Sequence, residues 1–225
     1  MCHSQQYSLG IPDYPSRLYP RLVQVMLSCR GGSFTVRITG GSLRGRILKT
    51  LPGLATRPPL ARVRLGVFNI LGPTIDGARF LDLYAGTGSY SIEALSRGAS
   101  SCTLVERSRA ALAVIQTNLE RTGCAHQAEV LPGDVLAVLG RLSRAGRRFD
   151  LVAVAPPHNT GLLDPTLAAL EAGDLLAEGG TVFVQHYPGE PVSPAVGRLH
   201  RYRESRYGST LVSWFTAPTE PVPVR

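Results

Sequence analysis

Phe80–Tyr90 reads FLDLYAGTGSY, and the fold turns on this stretch. An apolar run of strand length passes straight into two glycines and then into a segment with helical spacing, Ser89–Arg97. Gly86 and Gly88 allow the chain to turn sharply and to approach a ligand closely, and the helix that follows points its first N–H groups at the same spot. Downstream of Gly77 the pattern repeats. The apolar runs RFLDLY, CTLVE, AEVLP, FDLVAVA and TVFVQH alternate with helical segments near Ser89–Arg97, Ser108–Thr122, Val135–Ala145 and Leu162–Ala172. Such alternation predicts a parallel sheet wrapped by helices on both faces. RLHRYRES and STLVSWF, on either side of Tyr207-Gly208, predict an antiparallel hairpin along one edge. The sum is a doubly wound, seven-stranded, Rossmann-like α/β domain.

Upstream of that domain the composition changes. The chain has 225 residues and is 44% hydrophobic, enough for one main core with an appendage. Residues 1–33 contain Pro12, Pro15, Pro20, Gly31 and Gly32 and no steady period, so they read as a loosely structured extension. Residues 34–75 read as a basic arm: FTVRITGG and RGRILKTL form a hairpin around Gly40-Gly41, and after Pro58-Pro59 a first helix runs over Leu60–Leu71. The sheet domain takes 76–217, and 218–225 is a tail. The net charge is +8, and its distribution is uneven: no Asp or Glu occurs from Tyr14 to Ile75, where Arg37, Arg44, Arg46, Arg57, Arg62 and Arg64 all fall. That asymmetry points to a polyanionic partner, nucleic acid first. Cys2, Cys29, Cys102 and Cys124 form no C-x-x-C pair, so neither a metal site nor a disulfide framework is expected, and a reduced, cytoplasmic protein is the simplest reading; a monomer is expected separately. Leu22–Leu27 is too short to span a membrane.

In open α/β sheets ligands lie beyond the carboxyl ends of the strands, at the point where strand order reverses. Three acids occupy successive strand ends here. Asp82 precedes Gly86 and is placed to accept from a cationic amine; Glu106 follows Gly86 by twenty residues, where an acid takes two ribose hydroxyls; Asp134, in PGD, is placed to receive an adenine amino group. Tyr84 and Tyr90 flank the glycines and either pack on the ligand or fill the core. The group describes a nucleoside pocket. A dinucleotide site favours a third glycine at position 91, where Ser91 stands, so the pattern favours S-adenosylmethionine over a nicotinamide.

Three further strings carry a resemblance: VRITGGSLRGRILKTLPGLATRPPLARVRLGVFNIL, FLDLYAGTGSYSIEALSRGA and LVERSRAALAVIQTNLERTG. From about Val36 to His186 the chain resembles the bacterial RsmD-like methyltransferases, which methylate a guanine N2 of small-subunit ribosomal RNA. The resemblance implies that Asp82, Gly86 and Gly88 cradle the methionine part of S-adenosylmethionine, Glu106 its ribose and Asp134 its adenine, and that the arm and first helix hold ribosomal RNA, free or in the assembled small subunit. The family's reaction loop reads Asp-Pro-Pro followed by Phe or Tyr. Here it is Ala155-Pro156-Pro157-His158, with Ala155 in place of the acid and His158 in place of the aromatic. Pro59 and Leu65 are lesser departures, replacing a Thr and an acid at the start of the first helix.

The loop can still do chemistry. Proline keeps its carbonyl, so Ala155 and Pro156 can direct main-chain acceptors at an amine, while His158 can stack on an extruded base. Two readings stand at this stage: a methyltransferase working with main-chain acceptors, and a non-catalytic RNA-binding protein on a methyltransferase fold. A nicotinamide-dependent oxidoreductase is the third and weakest. His126 and His186 read as bystanders, and Asn69 as a brace of the first helix.

Overall fold

A computed structural model describes residues 35–51 and 61–217. Residues 1–33, Arg57, Pro58-Pro59 and the tail 218–225, singled out above, lie outside the described residues.

Strands β1 (Val36–Arg37) and β2 (Ile47–Leu48) form a small antiparallel pair, followed by helix α1 (Ala61–Leu71). Then come β3 (Arg79–Leu83), α2 (Ser89–Ser96), β4 (Ser101–Glu106), α3 (Arg109–Thr122), β5 (Ala128–Pro132), α4 (Val135–Arg144), β6 (Phe149–Val154), α5 (Leu163–Ala172), β7 (Leu176–His186), β8 (Ala195–Val196), β9 (Leu199–Tyr207) and β10 (Thr210–Thr216). The large sheet has the order β5-β4-β3-β6-β7-β10-β9-β8. The pairs from β5 through β7 are parallel, while β10 and β9 add antiparallel neighbours. Strand order reverses between β3 and β6, which sets the switch point there.

All seven expected strands and five expected helices are present. The sheet has an eighth member because β8, only two residues long, pairs with Leu199 and His200 at the start of β9. Strand β7 begins five residues earlier than TVFVQH suggests, since Leu176 already pairs with Phe149 across an irregularity.

Alternation along β3 shows how the sheet buries both faces. Phe80 packs in one core with α1, α2 and α3, among Phe68, Tyr90, Phe183 and Trp214; Leu81 and Leu83 pack in the other with α4 and α5, among Leu139, Phe149 and Leu167. The arm belongs to the first of these cores, since Val36, Ile38 and Leu48 are buried in it. The arm's turn differs from the sequence reading. Gly40-Gly41 does not close a two-residue hairpin; the chain from Ile38 to Arg46 makes a wider excursion, held by Gly45 N–H to Ile38 O at 2.9 Å. The glycines instead let the arm press onto α2: a methyl group on Gly41, whose φ is +75°, would lie 1.7 Å from the Ser96 carbonyl oxygen.

The grip between arm and helix centres on Glu93, which is fully buried in α2. Its carboxylate accepts from Thr39 N–H (2.8 Å), Thr39 Oγ1 (2.7 Å), Gly40 N–H (2.8 Å), Arg97 Nε (2.9 Å) and Arg64 Nε (3.3 Å). Arg64 also donates to the Arg37 carbonyl. A buried carboxylate is tolerable only when paired and hydrogen-bonded, and here both conditions are met.

Candidate active site

The carboxyl ends of β3, β4, β5 and β6 bring the three acids and the proline loop to one edge of the sheet. Backbone strain collects at the first of these ends. Tyr84 has φ +64°, unusual for a residue with a side chain, and Gly86 and Gly88 follow at +57° and +74°. Tyr84 is held there by its hydroxyl, 2.7 Å from Thr166 Oγ1 of α5. Gly88 caps α2, and a side chain in its place would crowd Leu104 and Ile115. At Gly86 a methyl group would meet nothing nearer than 3.9 Å, so the backbone is open to an approaching ligand at that point.

Asp82 is buried beneath this loop, 1% exposed, where Ser91 donates to its Oδ2 through N–H (3.2 Å) and Oγ (2.7 Å). Burial pushes the carboxyl up to about 7 despite the bonds from Ser91, and the nearby Glu106 charge adds to the rise. Its Oδ1 has no hydrogen bond among the described residues. Ser91 at the position of the missing third glycine thus orients Asp82.

Glu106 is fixed by main-chain donors: Gly86 N–H to Oε2 at 2.9 Å, and Arg107 and Ser108 N–H to Oε1 at 2.8 Å each. A carboxylate has about four acceptor directions. Three are used, which leaves one acceptor direction, on Oε2, open in this geometry. The exposed Asp134 caps α4 through Oδ1, which accepts from Leu136 N–H (3.0 Å) and Ala137 N–H (3.3 Å), and its Oδ2 has no hydrogen bond among the described residues.

The loop after β6 stands beside the strained end of β3. Ala155 N–H reaches Leu83 O at 3.4 Å; Pro156 is buried, and Pro157 and His158 are exposed. Thr160 Oγ1 donates to Pro157 O at 2.8 Å, closing the loop on itself, and the carbonyls of Ala155 and Pro156 have no hydrogen bond among the described residues. His158 is not a free stacking surface. The Tyr187 ring, just past the end of β7, meets it edge-on, with centroids 3.9 Å apart and planes at 81°. Tyr187 was not foreseen from the sequence, although the end of TVFVQH, next in the sheet after β6, carries the signal for it.

The arginines divide. Arg37, Arg44, Arg46 and Arg62 are exposed. Arg64 is 1% exposed and committed to Glu93 and the Arg37 carbonyl, so it is a bracing residue of the fold and not a phosphate contact, a correction to its reading from sequence. The motifs behind the family resemblance share this explanation. Thr39 and Gly40 of the arm, Arg64 of α1, and Glu93 and Arg97 of EALSRG are the members of one buried ionic cluster.

An open loop at Gly86, a buried acid with a spare oxygen and a capping acid with another fit a nucleoside bearing an amino-acid chain. The same fold occurs in an RNA methyltransferase from Salinibacter ruber solved with S-adenosyl-L-homocysteine (TM-score 0.55, 19% identity, 75% of this chain and 98% of that one). Fold and site define the class as S-adenosylmethionine-dependent methyltransferases. Within that class the chain belongs to the family described as conserved hypothetical protein 95, whose model matches residues 36–216. It is 38% identical over 172 residues to ribosomal RNA small subunit methyltransferase D of Escherichia coli (strain K12), covering 76% of this chain and 85% of that one. It is also similar to the solved structure of yhhF from Escherichia coli, with TM-score 0.74, 32% identity, and coverage of 83% of this chain and 100% of that one.

Proposed function

We propose that this chain transfers a methyl group from S-adenosylmethionine to the exocyclic N2 amine of a guanine in small-subunit ribosomal RNA. Among the described residues no helix is long and apolar enough to cross a membrane, and we place the protein in the cytoplasm, acting as a monomer on free or assembled small-subunit RNA. The observation that carries the reading is the meeting, at one strand-end edge, of the Gly86 loop with its acids and the Ala155–Pro157 loop with its two uncommitted carbonyls. The 38% identity to a relative named as a small-subunit ribosomal RNA methyltransferase supplies the substrate class.

Bound S-adenosylmethionine supplies an electrophilic methyl group on a sulfonium. In this reading Asp82 Oδ1 holds its amino group, Gly86 allows close approach, Glu106 Oε2 accepts a ribose hydroxyl and Asp134 Oδ2 the adenine amine. The nucleophile is a poor one, because the guanine N2 lone pair is delocalised into the ring. As the nitrogen lone pair bonds to the methyl, the C–S electron pair stays on sulfur and S-adenosylhomocysteine leaves; the loop's task is to align the amine and accept hydrogen bonds from its N–H groups as positive charge develops, the surplus proton passing to solvent. The carbonyls of Ala155 and Pro156 do this without a side-chain acid. Tyr187 and His158 form a two-ring wall at the loop for the extruded base to lie against. The exposed Arg37, Arg44, Arg46 and Arg62 take RNA phosphates. The test is mass spectrometry of small-subunit RNA from cells lacking the gene. One N2-methylguanosine should be absent and should return on incubation with the purified protein and S-adenosylmethionine; an unchanged modification pattern rejects the proposal.

One observation favours a second reading, an RNA-binding protein without catalysis: Ala155 stands where the family has an acid. Binding of small-subunit RNA with no methyl transfer would select it.

A further inference from the structure

Hairpin β9–β10 turns at Tyr207-Gly208-Ser209. Its register, with Leu211 opposite His186 and Thr210 opposite Tyr207, puts that turn at the carboxyl edge of the sheet, the edge that carries Ala155–His158. Helix α1 abuts it. The Tyr207 ring occupies the place a side chain on Gly66 would need, since a methyl group there would lie 2.3 Å from Cε1. Gly208, with φ +68°, is bare where Arg62 passes: a methyl group on it would lie 2.3 Å from Arg62 Nη2. The Gly208 carbonyl accepts from Arg206 Nε at 3.0 Å.

Two guanidinium groups from separate elements thus converge on one exposed glycine. Arg62 and Arg206, like Arg37, Arg44, Arg46 and Arg121 and unlike the ion-paired Arg64, Arg79, Arg97, Arg147, Arg148, Arg198 and Arg201, have no carboxylate partner among the described residues, and they alone of these meet at Gly208. Glu204, two residues before Arg206, is committed to Arg201 (3.2 Å) and Ser213 (3.1 Å). Like charges gathered without a counter-charge repel, and an incoming anion relieves the repulsion. The guanidinium fork matches the oxygens of a phosphate.

We propose that Arg62 and Arg206, converging at Gly208, form a backbone-phosphate site that holds RNA beside the reaction loop. This rests on RNA being the substrate, as proposed above. It assigns the C-terminal hairpin, which lies far in sequence from the basic arm, a share in substrate binding.

The test is fluorescence anisotropy of the full chain with a labelled single-stranded oligoribonucleotide of small-subunit sequence, titrated at several salt concentrations. Arg62→Ala and Arg206→Ala should each weaken binding about tenfold. Each should also flatten the slope of log affinity against log salt by about 0.7, one phosphate contact on a single strand. Arg121→Ala, an exposed arginine at the far end of α3, should change neither. S-adenosylhomocysteine binding by each variant reports that it is folded, and Arg206→Gln replaces Arg206→Ala if the latter is not. Wild-type slopes in the Arg206 variants, with wild-type protein binding RNA and methylating small subunits, overturn the phosphate site and leave the proposed function standing. Failure of the wild-type protein to bind RNA overturns both, whereas RNA binding without methyl transfer overturns the proposed function alone and leaves the phosphate site to be decided by the slopes.

Discussion

Asp82 sits at the meeting of stability and the ligand binding proposed for it. Its carboxyl, raised from 3.8 to about 7 by burial, keeps its proton in the folded chain over a range where the unfolded chain has released it. Below about pH 4 both forms are protonated, and between about 4 and 7 only the folded one is. Stability of the ligand-free protein therefore falls as pH rises through that window, by up to a few kcal/mol, and levels off above about 7. Chemical denaturation at a series of pH values should show the fall in wild type and lose it in Asp82→Asn. A cationic amine beside Asp82 favours the ionised form, so S-adenosylhomocysteine should bind more tightly as pH rises from 5 to 7.5, and the variant should lose this dependence too. Ala155 gives the complementary case. A side-chain acceptor for developing charge is worth about 10²–10³ in rate by analogy with oxyanion-hole donors. Ala155→Asp should therefore raise single-turnover methyl transfer to small subunits by up to that factor. A wild type with no turnover beside an active variant would mark the loop as a disabled site.

At the level of elements, periodicity and turn residues specify nearly everything except the arm. Parallel strands buried on both faces read as apolar runs, and the helix between each pair reveals itself by spacing, which is why β3 to β7 and α1 to α5 were legible. β8 was not, because a two-residue strand has no period to detect. Gly40-Gly41 misled for a related reason: a glycine pair marks a tight hairpin and a close contact with another element equally well, and only α2, more than fifty residues on, decides between them. The acids at strand ends were legible from spacing, but their hydrogen bonds were not, so neither the lock on Glu106 nor the burial of Arg64 could be foreseen. Glu93 was legible only as part of the EALSRG string, not as the centre of a buried cluster. Replacing it strips a buried carboxylate from two arginines and the arm's main-chain donors, and removing one partner of a buried pair costs about 3–5 kcal/mol. Glu93→Ala should lower stability by about that amount in urea titration. A loss below about 1 kcal/mol would show that the cluster contributes little beyond what the surrounding core supplies.

For the molecule as a whole, the two ends of α2 serve different purposes. Its first residue follows Gly88 of the ligand loop, and Glu93 and Ser96 near its other end clasp the arm, with Ser96 Oγ donating to Gly40 O at 2.6 Å and accepting from Leu43 N–H at 2.9 Å. The helix has only eight residues, too few to stand alone in water. Fraying from either end therefore travels to the other, and the segments it joins open as one cooperative unit. In native-state hydrogen exchange the Thr39 and Gly40 amides should share an opening free energy with the Gly86 amide bonded to Glu106. S-adenosylhomocysteine should slow exchange in the arm as much as in the loop it touches. Occupancy of the proposed nucleoside pocket would then be felt as stiffness in the segment proposed to grip the RNA, so on that proposal a protein charged with its methyl donor would hold RNA on a firmer clasp than one without it.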